Sequence, residues 1–191
     1  MDLLRTPAHR FDNLPDFPWE PTYLEDIAPA RVALVDEGPR DAEHTFLCLH
    51  GEPTWSFLYR KMIPVFLGSG ARVVAPDLLG FGRSDKPTDD AFYSFALHRD
   101  TLIQLIERLD LENITLVCQD WGGLLGLTLP PHFPARFGRL LVMNTGLAVG
   151  TPPSPGFLQW QQYVRENPTF DVGRLMRRSA PGLTDAEVAA Y

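Results

Sequence analysis

The sequence predicts a doubly wound α/β domain whose sheet is mostly parallel. Short apolar runs alternate with segments of helical periodicity, and the runs are too apolar to leave either face of a strand exposed. The chain has 191 residues, of which 45% are hydrophobic and 21% charged, so we expect one packed domain. In such a sheet the active site lies just beyond the carboxyl ends of the strands.

The first predicted strand covers residues 46–49 and ends at His50-Gly51. Apolar residues then recur at i, i+3, i+4, i+7, i+8 and i+11, which predicts one face of a helix; they are Trp55, Leu58, Tyr59, Met62, Ile63 and Phe66. Pro64 lies inside this pattern, so it either kinks the helix or ends it early.

The next elements repeat the alternation of strand and helix. Residues 72–75 form the second predicted strand, and Ser94 caps a helix whose apolar face carries Leu102, Leu105, Ile106 and Leu109. A third strand is predicted at 114–118, a third helix at 122–129 and a fourth strand at 140–143. This order of elements favours right-handed crossovers and a parallel sheet.

The pattern changes near residue 147. We predict a core over residues 1–146 and the start of a second, helical layer over residues 147–191, after a Pro- and Gly-rich connection at 146–156. Thr184 and Glu187 form a capping box that opens a helix, yet the sequence stops at Tyr191. The expectation is therefore a fragment of a longer protein that ends within the helical layer.

Composition excludes several classes of function. The formal net charge of -7 argues against a nucleic-acid surface, and no apolar run approaches the roughly 18 residues of a membrane span. Cys48 and Cys118 lie in apolar strands, which favours a reducing cytoplasm over a disulfide framework. A lone G-x-G at 80–82 does not indicate a dinucleotide, so no cofactor and no metal is predicted, and Asp77 before it is interpreted as structural.

Asp120 is the candidate nucleophile. It follows the third strand in the segment Cys118-Gln119-Asp120-Trp121-Gly122. A strained strand-to-helix turn with a reactive residue at its apex needs small residues two before and two after it, and Cys118 and Gly122 meet that need. The alternative is that Asp120 only caps the following helix.

A carboxylate nucleophile sets its own requirements. It is already ionised at neutral pH and can attack an sp³ carbon directly, which forms an ester on the enzyme. Water must then attack the carbonyl carbon of that ester, so an oxyanion hole has to point at Asp120 itself. The motif HGEPTW at 50–55 follows the neighbouring strand, and we predict the backbone N–H groups of Glu52 and Trp121 as the donors. By itself, His-Gly could equally be a simple turn.

Together, the motif at 50–55, the loop at 77–86 and the segment QDWGG at 119–123 resemble haloalkane dehalogenases of the α/β-hydrolase superfamily. The likeness is greatest to the subfamily that attacks 1,2-dichloroethane, and it covers essentially the whole chain. It implies an α/β-hydrolase fold with a helical cap, and hydrolysis of a small haloalkane by water to a primary alcohol and a halide ion.

The resemblance also implies roles for individual residues. The Trp121 indole would bind the departing halide, Trp160 would be the second halide-binding tryptophan from the cap, and Phe157 would line the cavity. Indole N–H groups are donors only, which suits a halide in an apolar cavity. Trp160 could instead be an ordinary core aromatic of a cap helix. We expect a monomer without partners beyond substrate, water and halide.

Two alternatives stay open at this point. The family's general base, a His held by an acid, is not in the sequence shown, and the five histidines present are poor substitutes. If the chain were the entire gene product, it could be a non-catalytic ligand-binding relative. An epoxide hydrolase shares the fold and the Asp nucleophile, but it usually has His where Gln119 stands and an aromatic residue where Glu52 stands.

Overall fold

The computed structural model describes residues 2–147, 149–150 and 152–191. Within them the strands are β1 Leu3–Leu4, β2 Thr22–Leu24, β3 Val32–Glu37, β4 Thr45–Leu49, β5 Arg72–Pro76, β6 Lys86–Pro87, β7 Ile114–Gln119 and β8 Phe137–Met143. The helices are α1 Ile63–Gly68, α2 Phe95–Arg108, α3 Trp121–Gly126, α4 Pro155–Glu166, α5 Val172–Ser179 and α6 Asp185–Ala190. Short 3₁₀ helices cover Ala8–Phe11, Ser56–Tyr59 and Asp90–Phe92.

The main sheet has the strand order β2-β3-β5-β4-β7-β8. Strands β5, β4, β7 and β8 run parallel, whereas β3 pairs antiparallel with β5 and β2 pairs antiparallel with β3. The predicted class, a mostly parallel doubly wound sheet, is confirmed. The antiparallel strands β2 and β3 were not predicted, since no helix separates them from each other to give the alternating pattern.

The core lies on both faces of this sheet. Successive side chains of a strand point to opposite faces, so in β4 Leu47 and Leu49 belong to one buried cluster while Cys48 belongs to the other. The same alternation places Cys118 and Val117 of β7 on opposite faces. Both cysteines are buried and free. Strands β4 and β7 are therefore covered from both sides, as their uniform apolarity predicted.

Strand β8 departs from that expectation. It lies at the edge of the sheet and pairs only with β7 among the described residues. Its side chains Leu140, Leu141 and Val142 are 52%, 41% and 47% exposed. The apolar run identified the strand correctly, but the described elements leave these three side chains about half exposed, while Phe137 and Met143 at its ends pack against the core.

The helix predicted over Trp55 to Phe66, with a kink or an early end at Pro64, is wrong, because the break lies before Pro64. Trp55 precedes a 3₁₀ helix at Ser56–Tyr59, and α1 begins only at Ile63. Pro64 lies in the first turn of α1, where its missing N–H leaves no intrahelical bond unmade. The apolar spacing was satisfied by two short helical pieces in succession, which the pattern alone does not distinguish from one helix.

The other boundaries differ by a few residues. The Ser94 hydroxyl accepts a hydrogen bond from the Leu97 N–H and caps α2, as predicted. Helix α3 begins at Trp121 and ends at Gly126, three residues before the predicted end. Strand β7 extends through Gln119 and β8 starts at Phe137.

The described residues after β8 form turns and the helices α4, α5 and α6. The predicted capping box is confirmed, since the Thr184 hydroxyl accepts from the Glu187 N–H and the Glu187 carboxylate accepts from the Thr184 N–H. The boundary near residue 147 stays a prediction, and residues 148 and 151 of the connection lie outside the described residues. Among the described helices, none combines the length and apolar character that a membrane crossing requires.

A buried ion pair joins two strands of the sheet and yields the first prediction. The Arg72 guanidinium donates to both carboxylate oxygens of Asp36, at 2.9 and 3.0 Å. Arg72→Met leaves the buried Asp36 carboxylate with only the largely exposed Arg40, so the free energy of unfolding should fall by about 3 kcal/mol. Arg108→Met, which breaks an exposed pair with Asp26, should change it far less, because solvent screens the two charges. Equal losses in chemical denaturation would contradict this account.

Candidate active site

Asp120 occupies a strained turn between β7 and α3. Its backbone has φ 52° and ψ -124°, a combination that a residue with a side chain rarely adopts. The carboxylate makes no hydrogen bond to the N-terminus of α3, so the structure does not support the interpretation of Asp120 as a helix cap. Backbone strain at one reactive side chain is typical of functional sites.

Glycines on both sides make this turn possible. A Cβ on Gly122 would lie 2.0 Å from the Leu49 carbonyl oxygen and 2.5 Å from that of His50, both of them backbone atoms. A Cβ on Gly51 would lie 2.4 Å from Cβ and Oδ1 of Asp120. The end of β4 therefore presses directly on the turn after β7, which is the crowding that the small-residue pattern around Asp120 predicted.

The structure brings Glu52 to Asp120. The Glu52 backbone N–H donates to Asp120 Oδ1 across 2.9 Å. Trp121 is the first residue of α3, and its backbone N–H has no acceptor among the described residues, as is usual in a first helical turn. One predicted oxyanion donor is thus on the carboxylate and the other is free beside it.

Two residues that the sequence analysis missed hold the turn from β8. The Thr145 hydroxyl donates to the Asp120 carbonyl oxygen across 2.7 Å, and the Asp120 N–H donates to the Asn144 carbonyl oxygen across 3.2 Å. Thr145 also fills the space above Gly123, whose Cβ would lie 2.2 Å from the Thr145 hydroxyl oxygen. The signal was available, because both residues directly follow a parallel strand next to β7.

His50 is a structural part of the loop that carries Glu52. Its Nδ1 lies 2.9 Å from the Gly51 carbonyl oxygen and its Nε2 accepts from the Leu78 N–H across 2.9 Å. A carbonyl only accepts, so the proton is on Nδ1. Burial lowers the pKa of the imidazole, against the smaller opposing effects of Asp77 and Asp120. His50 is therefore a neutral imidazole whose two nitrogens are both engaged.

Asp77 holds the loop after β5 in position through hydrogen bonds to backbone N–H groups. Its buried carboxylate accepts from the Ser56 N–H and from the Arg83 N–H, each across 2.8 Å. A Cβ on Gly82 would lie 2.4 Å from that carboxylate. Asp77 thus ties the chain after the 50–55 motif to the 77–84 loop, in agreement with its structural interpretation.

A cavity of about 420 Å³ is lined by Gly51, Glu52 and Trp121, which flank Asp120, although Asp120 is not itself among its lining residues. Its wall combines apolar with polar side chains; it includes Leu78, Phe81, Phe95, Glu52, Ser94, His98 and Trp121. Burial raises the pKa of the Glu52 carboxyl, and the charge of Asp120 raises it further. A larger depression of about 870 Å³ along the N-terminal segment shares no lining residue with this cavity and lies away from Asp120.

Trp160 and Phe157 are not among the residues that line this cavity. Trp160 lies on α4, where its ring stacks on Tyr163 at 5.8 Å and meets the edge of Phe170 at 5.9 Å. Phe157 lies on the same helix, one turn earlier. The halide-binding role of Trp160 and the cavity-lining role of Phe157 therefore stay predictions.

His98 is the histidine that the sequence analysis underrated. It lies on α2, stacks on Tyr93 at 6.1 Å and lines the cavity, and its Nδ1 is buried without a partner in the described part of the chain. Burial lowers the pKa of its imidazole. Among the described residues, no group of three or more His, Cys, Asp or Glu side chains could hold a metal ion.

Comparison with known proteins agrees with this geometry. Residues 44–182 match the family model described as the alpha/beta hydrolase fold. The chain is 47% identical over 197 residues to a haloalkane dehalogenase of Psychrobacter cryohalolentis, which covers 100% of this chain and 65% of the relative. It is 45% identical to a haloalkane dehalogenase of Mycolicibacterium paratuberculosis, covering 92% of this chain and 60% of the relative. The chain thus spans somewhat under two thirds of these relatives' length.

Solved structures give the same answer. The tetrameric haloalkane dehalogenase DpaA from Paraglaciecola agarilytica superposes with a TM-score of 0.97 at 52% identity, over 100% of this chain and 65% of that one. A thioesterase domain from the curacin biosynthetic pathway superposes with a TM-score of 0.72 at 21% identity, over 91% of this chain and 66% of that one. The second likeness shows the fold alone.

The contact at Gly122 gives a prediction for this site. Gly122→Ala places a methyl group against two backbone carbonyls that cannot both move, so it should lower the free energy of unfolding by about 1–3 kcal/mol. Gly156→Ala is the matched control, because its Cβ meets nothing within 4 Å and it lies in helix α4. That control should leave stability unchanged or raise it by up to about 1 kcal/mol. Two equally stable variants in urea denaturation would show that the turn is not crowded.

Proposed function

Since this chain belongs to the α/β-hydrolase fold family, we propose from its site that the protein is a haloalkane dehalogenase with Asp120 as its nucleophile. One observation carries the proposal. The Glu52 N–H holds Asp120 Oδ1, while Asp120 Oδ2 accepts no hydrogen bond from the described residues. The carboxylate is thereby divided into one anchored oxygen and one that is free to react.

The first step is alkylation. Oδ2 of Asp120 attacks the carbon that bears the halogen, a C–O bond forms, and the halide leaves with the electron pair of the C–X bond. The Trp121 indole on the cavity wall would donate to the departing halide, and Trp160 would be the second donor from the cap. The apolar part of the wall, with Leu78 and Phe81, suits a short alkyl chain.

The second step is hydrolysis of the ester on Asp120. Water adds to the carbonyl carbon of the side chain, so Oδ1 becomes the oxyanion, and the Glu52 N–H is already 2.9 Å from that atom. The free Trp121 N–H is the second donor. The proton of the water passes to a His held by an acid, both of which we place outside the sequence shown. Collapse of the intermediate breaks the bond between the carbonyl carbon and the alkylated Oδ2, which leaves as the alcohol after taking the proton back from the His. The carboxyl group that remains then loses its proton, so Asp120 is again a carboxylate.

Cellular location and assembly stay predictions of the sequence. The buried, free thiols of Cys48 and Cys118 support the proposed cytoplasmic location. A monomer is the proposed state, although the relative from P. agarilytica is described as tetrameric. Sedimentation of the full gene product distinguishes the two assemblies.

Replacement of the nucleophile is the direct test of the proposed activity. Asp120→Asn removes the charge and the free oxygen, so halide release from 1,2-dichloroethane or 1-bromobutane by the full gene product should fall by roughly 1,000-fold or more. Asp185→Asn, on the exposed surface of α6, is the matched control and should leave the rate unchanged. A rate of halide release that is unchanged in Asp120→Asn would contradict the proposed mechanism.

The role of Trp160 is tested by halide binding. Chloride or bromide should quench the tryptophan fluorescence, and Trp160→Phe should weaken halide affinity roughly tenfold, because one donor to an anion is lost. Trp19→Phe is the control, since Trp19 packs against Phe17 in the N-terminal segment. If Trp160→Phe and Trp19→Phe leave halide affinity equally unchanged, Trp160 is an aromatic of the cap core and nothing more.

A further inference from the structure

The last helix, α6, contacts the core beside the loop that carries Glu52. The Arg60 Nη2 donates to Glu187 Oε1 across 2.6 Å, and both side chains are only 6% exposed. Lys61, at the surface, lies 3.1 Å from the same oxygen. The other oxygen of Glu187 accepts from the Thr184 N–H across 2.8 Å. These contacts lower the pKa of the Glu187 carboxyl, Arg60 most of all, so the carboxylate stays charged at neutral pH.

A second contact lies closer to the oxyanion loop. The indole N–H of Trp55 donates to the Ala190 carbonyl oxygen of α6 across 3.0 Å. Trp55 is itself buried, with its ring stacked on Phe57 at 5.5 Å. Helix α6 is therefore fixed to the core at both of its ends, through Glu187 near its start and Ala190 at its close.

Trp55 is connected to Glu52 by a closed turn. The Thr54 N–H and the Thr54 hydroxyl both donate to the Gly51 carbonyl oxygen, at 2.9 and 2.8 Å. The Glu52 N–H, which binds Asp120 Oδ1, lies inside that turn. A displacement of Trp55 would consequently move the donor relative to the carboxylate.

Helix α5 packs closely against α6. Gly173 of α5 approaches α6 so closely that a Cβ there would lie 2.8 Å from the Val188 carbonyl oxygen.

A buried ion pair is a costly way to fix a helix, because apolar side chains of similar size often stabilise a fold as well or better. What such a pair supplies is a defined position, since the charges tolerate little displacement from each other.

We propose that Arg60 and Glu187 are positioning residues for the oxyanion hole. The docking of α6 through this pair and through Trp55 keeps the Glu52 N–H aimed at Asp120 Oδ1, and it couples the cap to the hydrolytic step. This inference rests on the proposed function. The Glu52 N–H contacts Oδ1 in both steps, but the negative charge is concentrated on Oδ1 only in the oxyanion that forms during hydrolysis, so loss of the pair should slow that step more than alkylation.

The experiment follows both steps separately in a single turnover of the full gene product with 1-bromobutane. Bromide formation reports alkylation, and butanol formation reports hydrolysis. In Glu187→Gln the hydrolysis rate should fall about tenfold, less than the loss of a whole oxyanion donor would cause, while the alkylation rate changes less than about threefold. Thr184 is exposed, and its hydroxyl donates to the Glu187 carboxylate at the start of α6. Thr184→Ala removes this helix N-cap, so the ratio of the hydrolysis rate to the alkylation rate should also fall, by a smaller factor than in Glu187→Gln.

Three control variants separate positioning from general loss of stability. Asp36→Asn breaks the buried ion pair with Arg72 between β3 and β5. Asp185→Asn breaks the exposed ion pair with Arg177 of α5. Ser154→Ala removes the side chain that caps the N-terminus of α4. All three should keep the ratio of hydrolysis to alkylation at the value of the unmodified protein. Ser154→Ala is matched to Thr184→Ala in chemistry and exposure.

The possible outcomes distinguish failure of the positioning role from failure of the proposed function. A ratio in Glu187→Gln and Thr184→Ala equal to that of the controls overturns the inference and leaves the proposed function standing. If Glu187→Gln does not fold, Thr184→Ala against Ser154→Ala decides the question alone. An unmodified protein that releases no bromide overturns the proposed function, and the positioning role with it.

Discussion

Everything at this site depends on the crowding of the turn at Asp120. The ends of β4 and β7 approach so closely that Gly51 and Gly122 have no room for a Cβ. The Asp120 backbone is held at a positive φ as a result, and its side chain stands clear of the helix that follows. The Asp120 carboxylate does not cap α3, and it lies at the carboxyl edge of a parallel sheet. It is therefore placed to react with a substrate rather than to stabilise the helix.

The same closeness orients the carboxylate. Because Gly51 touches Asp120, the next residue, Glu52, can place its N–H on Oδ1. The loop is kept in that position by buried polar groups whose hydrogen bonds are directed at backbone, namely the neutral His50 and the Asp77 carboxylate. On its outer side, α6 contacts it through Trp55. These polar groups thus fix the position of the loop, and the Asp120 carboxylate is the group that remains free to react.

Much of this was predictable from sequence because it depends on local pattern. The apolar runs of β4, β5 and β7, the Ser94 cap and the small residues around Asp120 each have a short-range signature. The single helix predicted over Trp55 to Phe66 was wrong because apolar spacing does not reveal a break between a 3₁₀ helix and α1. Contacts between distant segments leave a weaker signature: the position of Thr145 directly after β8 indicates the active-site edge, but not its hydrogen bond to Asp120. The contacts of Thr145 with the Asp120 turn and of Glu187 with Arg60 were found only in the structure, and Trp160 is not among the residues that line the cavity.

The central claim is that the Asp120 carboxylate becomes an ester whose carbonyl carbon is attacked by water. A single turnover in oxygen-18-labelled water, with the full gene product in excess over 1-bromobutane, tests it most directly. The account predicts that the label enters the peptide that contains Asp120 and that the butanol carries unlabelled oxygen. Labelled butanol together with an unlabelled Asp120 peptide would contradict it, because water would then have displaced the halide without an ester.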